Sequence, residues 1–207
     1  MPSKTALLIV DPLKDFCPGG SLATEQGAAI MPRINELARS GTYDAVVLIR
    51  EMHPEGHISF ASRHGKEPFQ EIVLPGGRHQ MLWPDHCVET GQGHEPHPDL
   101  DLSLIDKEVR KGRKPDVENY SGFADDDGEE TGLHAYLREQ GIGAVDVVGI
   151  AIDYCVKETA CDAASERYGY RTRVLLDACA GVGATPEAIP DAKRQMAEAG
   201  AEVLAAR

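Results

Sequence analysis

Short β-branched runs alternate with longer amphipathic stretches along this chain, the pattern expected of a parallel sheet covered by helices. ALLIV at 6–10, AVVLI at 45–49, VDVVGI at 145–150 and RVLL at 173–176 predict strands, and EVR at 108–110 and AEVLA at 201–205 predict weaker ones. Helical periodicity runs over 28–39, 130–139, 154–168 and 187–199, and Gly41, Gly141, Gly169 and Gly200 stand where each helix should close. The fold class that follows is α/β: a doubly wound, mostly parallel sheet of about six strands, with helices on both faces.

One region breaks the alternation. From 52 to about 100 the chain is rich in Pro, Gly and His and has little periodicity. Loops of that length inside a compact domain are usually functional. Ligands of open α/β sheets bind outside the carboxyl ends of the strands, so a long loop leaving AVVLI marks the expected site. The expected organisation is a single domain over 1–207 carrying this loop.

Charge and cysteine usage narrow the function classes. The chain has 34 acidic against 21 basic residues, a formal charge of -13 that repels nucleic-acid phosphates and anionic lipid. Neither nucleic acid nor a membrane is an expected partner, and ALLIV is too short for a membrane span or signal peptide. Cys17, Cys87, Cys155, Cys161 and Cys179 are odd in number, with no C-x-x-C pair, so no disulfide framework is indicated. A cytoplasmic location is expected. The composition leaves the oligomeric state open and admits a homo-oligomer.

Three predicted strands run into a reactive residue: Asp11 after ALLIV, Lys111 after EVR, and Cys155 shortly after VVGI. In a parallel sheet these carboxyl ends share an edge, so the three side chains can converge. A carboxylate that takes a thiol proton, an ammonium that steadies the thiolate and a thiolate that attacks a carbonyl make an acyl-transfer site. Cys155 opens a predicted helix, whose N-terminal field is expected to lower its pKa. Cys161 lies deeper in that helix and about a third of a turn away, and reads as packing.

A second constellation is EMHPEGH at 51–57 with LWPDHCV at 82–88. Glu51, His53, His57 and His86 supply donors suited to Zn, Fe or Mn. On spacing alone they read equally as a His-rich surface loop. A thiol redox enzyme using Cys155 and Cys161 and a non-catalytic metal-binding protein are the rival classes. The first lacks a shared helical face, and the second leaves Asp11, Lys111 and Cys155 unexplained.

The ordered pieces LLIVDPLKDFCPGGSL, HPEGHISFASRHG, WPDHCVETGQGHEPHP, RKGRKPDVENYSGFAD and VVGIAIDYCV resemble the nicotinamidase/pyrazinamidase branch of the isochorismatase-like cysteine hydrolases. The resemblance implies hydrolysis of a small aromatic amide, nicotinamide and also pyrazinamide, in pyridine nucleotide salvage. It implies a catalytic triad of Asp11, Lys111 and Cys155, and one divalent metal ion on Glu51, His53 and His86, zinc first, with an accessory role for His57. Phe16, Trp83 and Tyr120 match the positions that enclose the pyridine ring. It also implies a non-proline cis peptide between Ile150 and Ala151, and an oxyanion hole from the N–H groups of Ala151 and Cys155.

The chain departs from the pattern in places. Glu51 and Met52 stand in EMH where D-W-H is usual, and Ile152 replaces Thr of the GIATD form. Glu51 keeps the carboxylate but adds a methylene. None of these changes removes a reacting atom.

Overall fold

The computed structural model describes residues 4–205, so the outermost limits of the expected domain lie outside the described residues. In chain order the elements are β1 (Lys4–Val10), α1 (Met31–Arg39), β2 (Ala45–Glu51), β3 (Glu71–Val73), β4 (His79–Met81), β5 (Lys107–Lys111), α2 (Leu133–Glu139), β6 (Ile142–Ile150), α3 (Cys155–Ala164), β7 (Arg171–Ala180), α4 (Ala188–Glu198) and β8 (Glu202–Leu204). Six strands form one sheet in the order β5-β2-β1-β6-β7-β8, and every pairing in it is parallel. This is the expected doubly wound sheet. Its strand order reverses between β1 and β6, which opens a crevice at their carboxyl ends.

Alternation along β1 builds the two layers. Ala6, Leu8 and Val10 face a core shared with Leu133 and Leu137 of α2, Val156 and Ala160 of α3, and Met196 of α4. Leu7 and Ile9 face the opposite core, with Met31 and Ile34 of α1, Trp83, Cys87 and Leu100. Both faces of β1 are apolar because both are covered, and a fully buried Leu or Ile contributes roughly 1.5–3 kcal/mol. The aperiodic region 52–100 therefore does the work of helices on the second face, together with α1 and the segment before it that carries Leu13, Phe16, Leu22 and Ile30.

Several expected boundaries are corrected. The first two helices begin at Met31 and Leu133, three residues later than their periodicity starts. The third ends at Ala164 rather than 168, because Ser165 turns to extended backbone (φ -61°, ψ 159°) and its hydroxyl bonds the Asp162 carbonyl. The region expected to be loop holds the antiparallel hairpin β3–β4, three residues per strand.

No helix among the described residues is long and apolar enough to cross a membrane. All five cysteines are free.

Candidate active site

Register brings the chemistry together. Glu51 and Lys111 are paired last residues of β2 and β5. Asp11 follows β1, its N–H donating to Ile49 O at 2.9 Å and its Oδ1 accepting from Glu51 N at 2.7 Å. Asp11 has φ 47°, an unusual left-handed conformation for a non-glycine residue, and such outliers gather at functional sites. Cys155 is the first residue of α3, beyond the cis peptide that joins Ile150 to Ala151.

The Lys111 ammonium is the hub. Its Nζ lies 2.5 Å from Glu51 Oε2, 3.1 Å from Asp11 Oδ2, 3.1 Å from Asn119 O and 3.3 Å from Cys155 Sγ. The Cys155 thiol points to Glu51 Oε2 at 3.7 Å. Asp11, Glu51 and Cys155 offer atoms all within 4.8 Å of one another. Asp11 Oδ2 makes no hydrogen bond of good direction, so it keeps a lone pair free to accept a proton.

Burial dominates the electrostatics. It pushes the Asp11 carboxyl up to about 6, against the pull of the Lys111 ammonium. Burial opposes charge on Glu51 as well, but Lys111 and His53 hold that carboxyl well below its usual range. Burial also disfavours charge on Lys111, yet Asp11, Cys155 and Glu51 outweigh it and keep the ammonium protonated. For Cys155 the outcome corrects the expectation of a depressed pKa. Burial, helped by Asp11 and Glu51, raises the thiol well above its ordinary value despite Lys111. The resting site thus carries a thiol beside an acceptor carboxylate. Cys161, half-buried against the core, is pushed up to about 11 by burial.

The second constellation lies directly behind the first. His53 Nε2 and His86 Nε2 each lie 3.0 Å from Glu51 Oε1. Their other ring nitrogens meet carbonyls, Nδ1 of His53 on Gly112 O and Nδ1 of His86 on Pro84 O, both at 2.8 Å. A carbonyl only accepts, so both Nδ1 atoms carry hydrogen and both Nε2 atoms converge on one carboxylate oxygen; burial lowers the His53 pKa, but the Glu51 carboxylate outweighs it and raises it. Two imidazole nitrogens and a carboxylate oxygen facing one another, with the outer nitrogens anchored to backbone, are the donor set of a divalent-metal site. The residues fit such an ion. Gly112 is required here: at φ 71° a Cβ would lie 2.6 Å from His53 Cε1.

His57 does not converge with these ligands. Its ring stacks on His53 with centroids 4.0 Å apart, its Nε2 donates to Val117 O at 3.1 Å, and its Nδ1 accepts from Ser59 Oγ at 2.8 Å. Burial, with His53 beside it, drops its pKa to about 3. Both ring nitrogens are committed, and the ring packs against His53.

A narrow cavity opens over the thiol, lined by Phe16, Trp83, Tyr120 and Tyr154 together with Glu51 and His86. Trp83 Nε1 donates to Tyr120 OH at 3.0 Å, and the Trp83 ring meets Tyr154 edge-on at 4.8 Å. The N–H groups of Ala151 and Cys155 reach no protein acceptor among the described residues, leaving two donors for a ligand oxygen. The three aromatics expected from sequence are therefore here, joined by Tyr154, Leu22 and Val182, which sequence reasoning gave no role. For Tyr154 a signal existed: it immediately precedes the thiol at the sheet edge.

The profile of the isochorismatase domain matches residues 5–207. The chain belongs to the isochorismatase domain family. Within that family it is 45% identical over 179 residues to a nicotinamidase of Acinetobacter baylyi, covering 86% of this chain and 81% of the relative. The solved nicotinamidase/pyrazinamidase of Acinetobacter baumanii superposes with a TM-score of 0.91 at 41% identity, covering 99% of this chain and 97% of that one. A pyrazinamidase of Pyrococcus horikoshii, solved in complex with zinc, gives a TM-score of 0.77 at 34% identity, covering 98% and 99%.

Proposed function

We propose that this isochorismatase-family chain is an amidohydrolase that converts nicotinamide to nicotinate and ammonia, and also acts on pyrazinamide. One observation carries the reading: a buried thiol, an ammonium and a free carboxylate oxygen meet at the floor of an aromatic cavity, with Lys111 Nζ 3.3 Å from Cys155 Sγ and 3.1 Å from Asp11 Oδ2. The relatives named nicotinamidase support the choice of substrate.

Asp11 accepts the thiol proton as Cys155 Sγ attacks the carboxamide carbon, and Lys111 holds the resulting thiolate and the carboxylate in place. The N–H groups of Ala151 and Cys155 receive the negative charge that develops on the amide oxygen. Collapse of the tetrahedral adduct expels the amine, to which Asp11 returns the proton, so that ammonia leaves and a nicotinoyl thioester remains. Water, deprotonated by the same carboxylate, cleaves the thioester to nicotinate and restores the thiol. Phe16, Trp83, Tyr120 and Tyr154 sandwich the ring and fix the carboxamide over sulfur.

Glu51, His53 and His86 would hold one divalent ion, for which zinc suits the donor set, with Fe or Mn as alternatives. When bound, it supplies a Lewis-acid contact for the ring nitrogen of the substrate. The six-stranded sheet with its two cores supports a single domain, and five free cysteines support a reducing, cytoplasmic setting.

The test is ammonia release from a panel of aromatic amides, run with metal-stripped and metal-restored protein. The reading expects nicotinamide and pyrazinamide to be hydrolysed. No turnover of any pyridine or pyrazine carboxamide overturns it.

A further inference from the structure

Most of the cavity wall is braced by aromatic contacts, but one piece of it comes from the segment that follows β7. At position 181 there is no room for a side chain: a Cβ on Gly181 would lie 2.8 Å from Ile152 Cγ2, 2.9 Å from Ile189 Cδ1 and 3.2 Å from Asp153 Oδ1. The segment therefore lies flat on the residues that lead into the nucleophile. Ile152 N donates to Ala180 O at 2.9 Å and begins the attachment.

Asp153 completes it. This carboxylate is only 5% exposed, and its two oxygens accept from successive backbone donors, Oδ1 from Val182 N at 3.0 Å and Oδ2 from Gly183 N at 2.8 Å. A buried carboxylate has to be met by fixed dipoles, and here they are the N–H groups of the two peptides that flank Val182. The clamp leaves the half-buried side chain of Val182 in the cavity wall beside Leu22, Tyr154 and Cys155.

We propose that Val182, held by the Asp153 clamp, is a specificity-determining residue that limits which ring substituents the cavity admits, with Asp153 as its positioning residue. The proposal rests on the aromatic-carboxamide reading above. Trp83, Tyr120 and Tyr154 are fixed by contacts among themselves, so the aliphatic side chain on the clamped segment is the wall that a small change can move. Asp153 touches no reacting atom; it acts by keeping Val182 from swinging outward.

The experiment compares kcat/KM for nicotinamide with that for nicotinamides methylated at each ring carbon, using the metal-loaded wild type, Val182→Ala, Asp153→Asn and the double variant. In Val182→Ala, at least one methylated amide should gain about tenfold relative to nicotinamide, the lower end of what a methylene-sized space is worth. Asp153→Asn keeps one acceptor oxygen and should shift the same ratio in the same direction by less. The double variant should show no more than Val182→Ala alone, because the two residues act as a unit. Thermal melts establish that each variant is folded.

An unchanged ratio at every methyl position in Val182→Ala overturns the proposal. So does an Asp153→Asn protein that slows all amides equally through kcat, since that result assigns the carboxylate to the nucleophile loop. A wild type that turns over no carboxamide overturns the underlying reading instead, and the wild-type arm tells the two failures apart.

Discussion

Glu51 and Lys111 end neighbouring strands in register, and the Glu51 carboxylate joins the two halves of the site: Oε2 sits 2.5 Å from the Lys111 ammonium while Oε1 lies 3.0 Å from both His53 and His86. One carboxylate thus spans both sets of partners. The residue that would ligate the metal is also the one the Cys155 thiol points to, at 3.7 Å from Oε2.

Glu51→Gln keeps this shape and removes the charge. Its metal affinity should fall by more than about 100-fold, beyond what loss of an outer contact costs. Glu51→Asp should bind metal with an intermediate affinity, since the shorter arm cannot keep both sets of partners. Competition with a chromophoric chelator measures both constants, and equal affinity in all three proteins would exclude Glu51 as a ligand.

His57 gives the converse expectation. With Nε2 on Val117 O and Nδ1 on Ser59 Oγ, His57→Asn should still bind one metal per chain, with affinity reduced about tenfold through the lost packing of His53. His53→Ala should bind none under the same conditions. Metal analysis after gel filtration would sink this assignment if the two variants lost metal alike.

The pH profile follows from Asp11. Burial lifts its carboxyl to about 6, and a base must be ionised to accept the thiol proton. Activity is therefore complete above that value and lost as pH falls through it. kcat/KM for nicotinamide should drop about tenfold per pH unit below 6, with metal content measured at each pH to separate the two effects. An acid limb near 4, the ordinary carboxylate range, would contradict the buried-base assignment.

Much of the fold was legible because burial imposes a pattern. The apolar runs that predicted six strands are continuous where both sheet faces are covered, and Gly41, Gly141, Gly169 and Gly200 do sit at positive φ after the helices. The hairpin β3–β4 escaped notice because its strands are three residues long and half of them face water, as Val73 does. The region 52–100 covers a sheet face with irregular backbone, so it carries core residues such as Leu82 and Trp83 without a helical period.

The convergence of Asp11, Lys111 and Cys155 was legible from strand ends alone. Their electrostatics were not: the helix N-terminus at Cys155 is a local feature, whereas the desolvation that outweighs it comes from layers distant in sequence. Glu51 was legible as a candidate ligand but not as a partner of Lys111, because that contact depends on which strands are neighbours. Leu22, Tyr154 and Val182 meet only through the fold, each from a separate segment.

Lys111 should matter for stability as well as for chemistry. It is fully buried between Asp11 and Glu51, so Lys111→Met leaves two carboxylates without their cation. Breaking a buried pair in this way costs about 3–5 kcal/mol. Urea unfolding of the metal-free proteins at pH 7 measures the difference, and a loss under about 1 kcal/mol would mean that the ammonium is not the counter-ion described.

The most direct test of the central claim is ammonia release from nicotinamide by the metal-loaded wild type and Cys155→Ala, side by side at equal concentration. The thiol mechanism predicts steady release from the wild type and none above background from Cys155→Ala, with the variant folded and carrying the same metal. Full turnover by Cys155→Ala would contradict it.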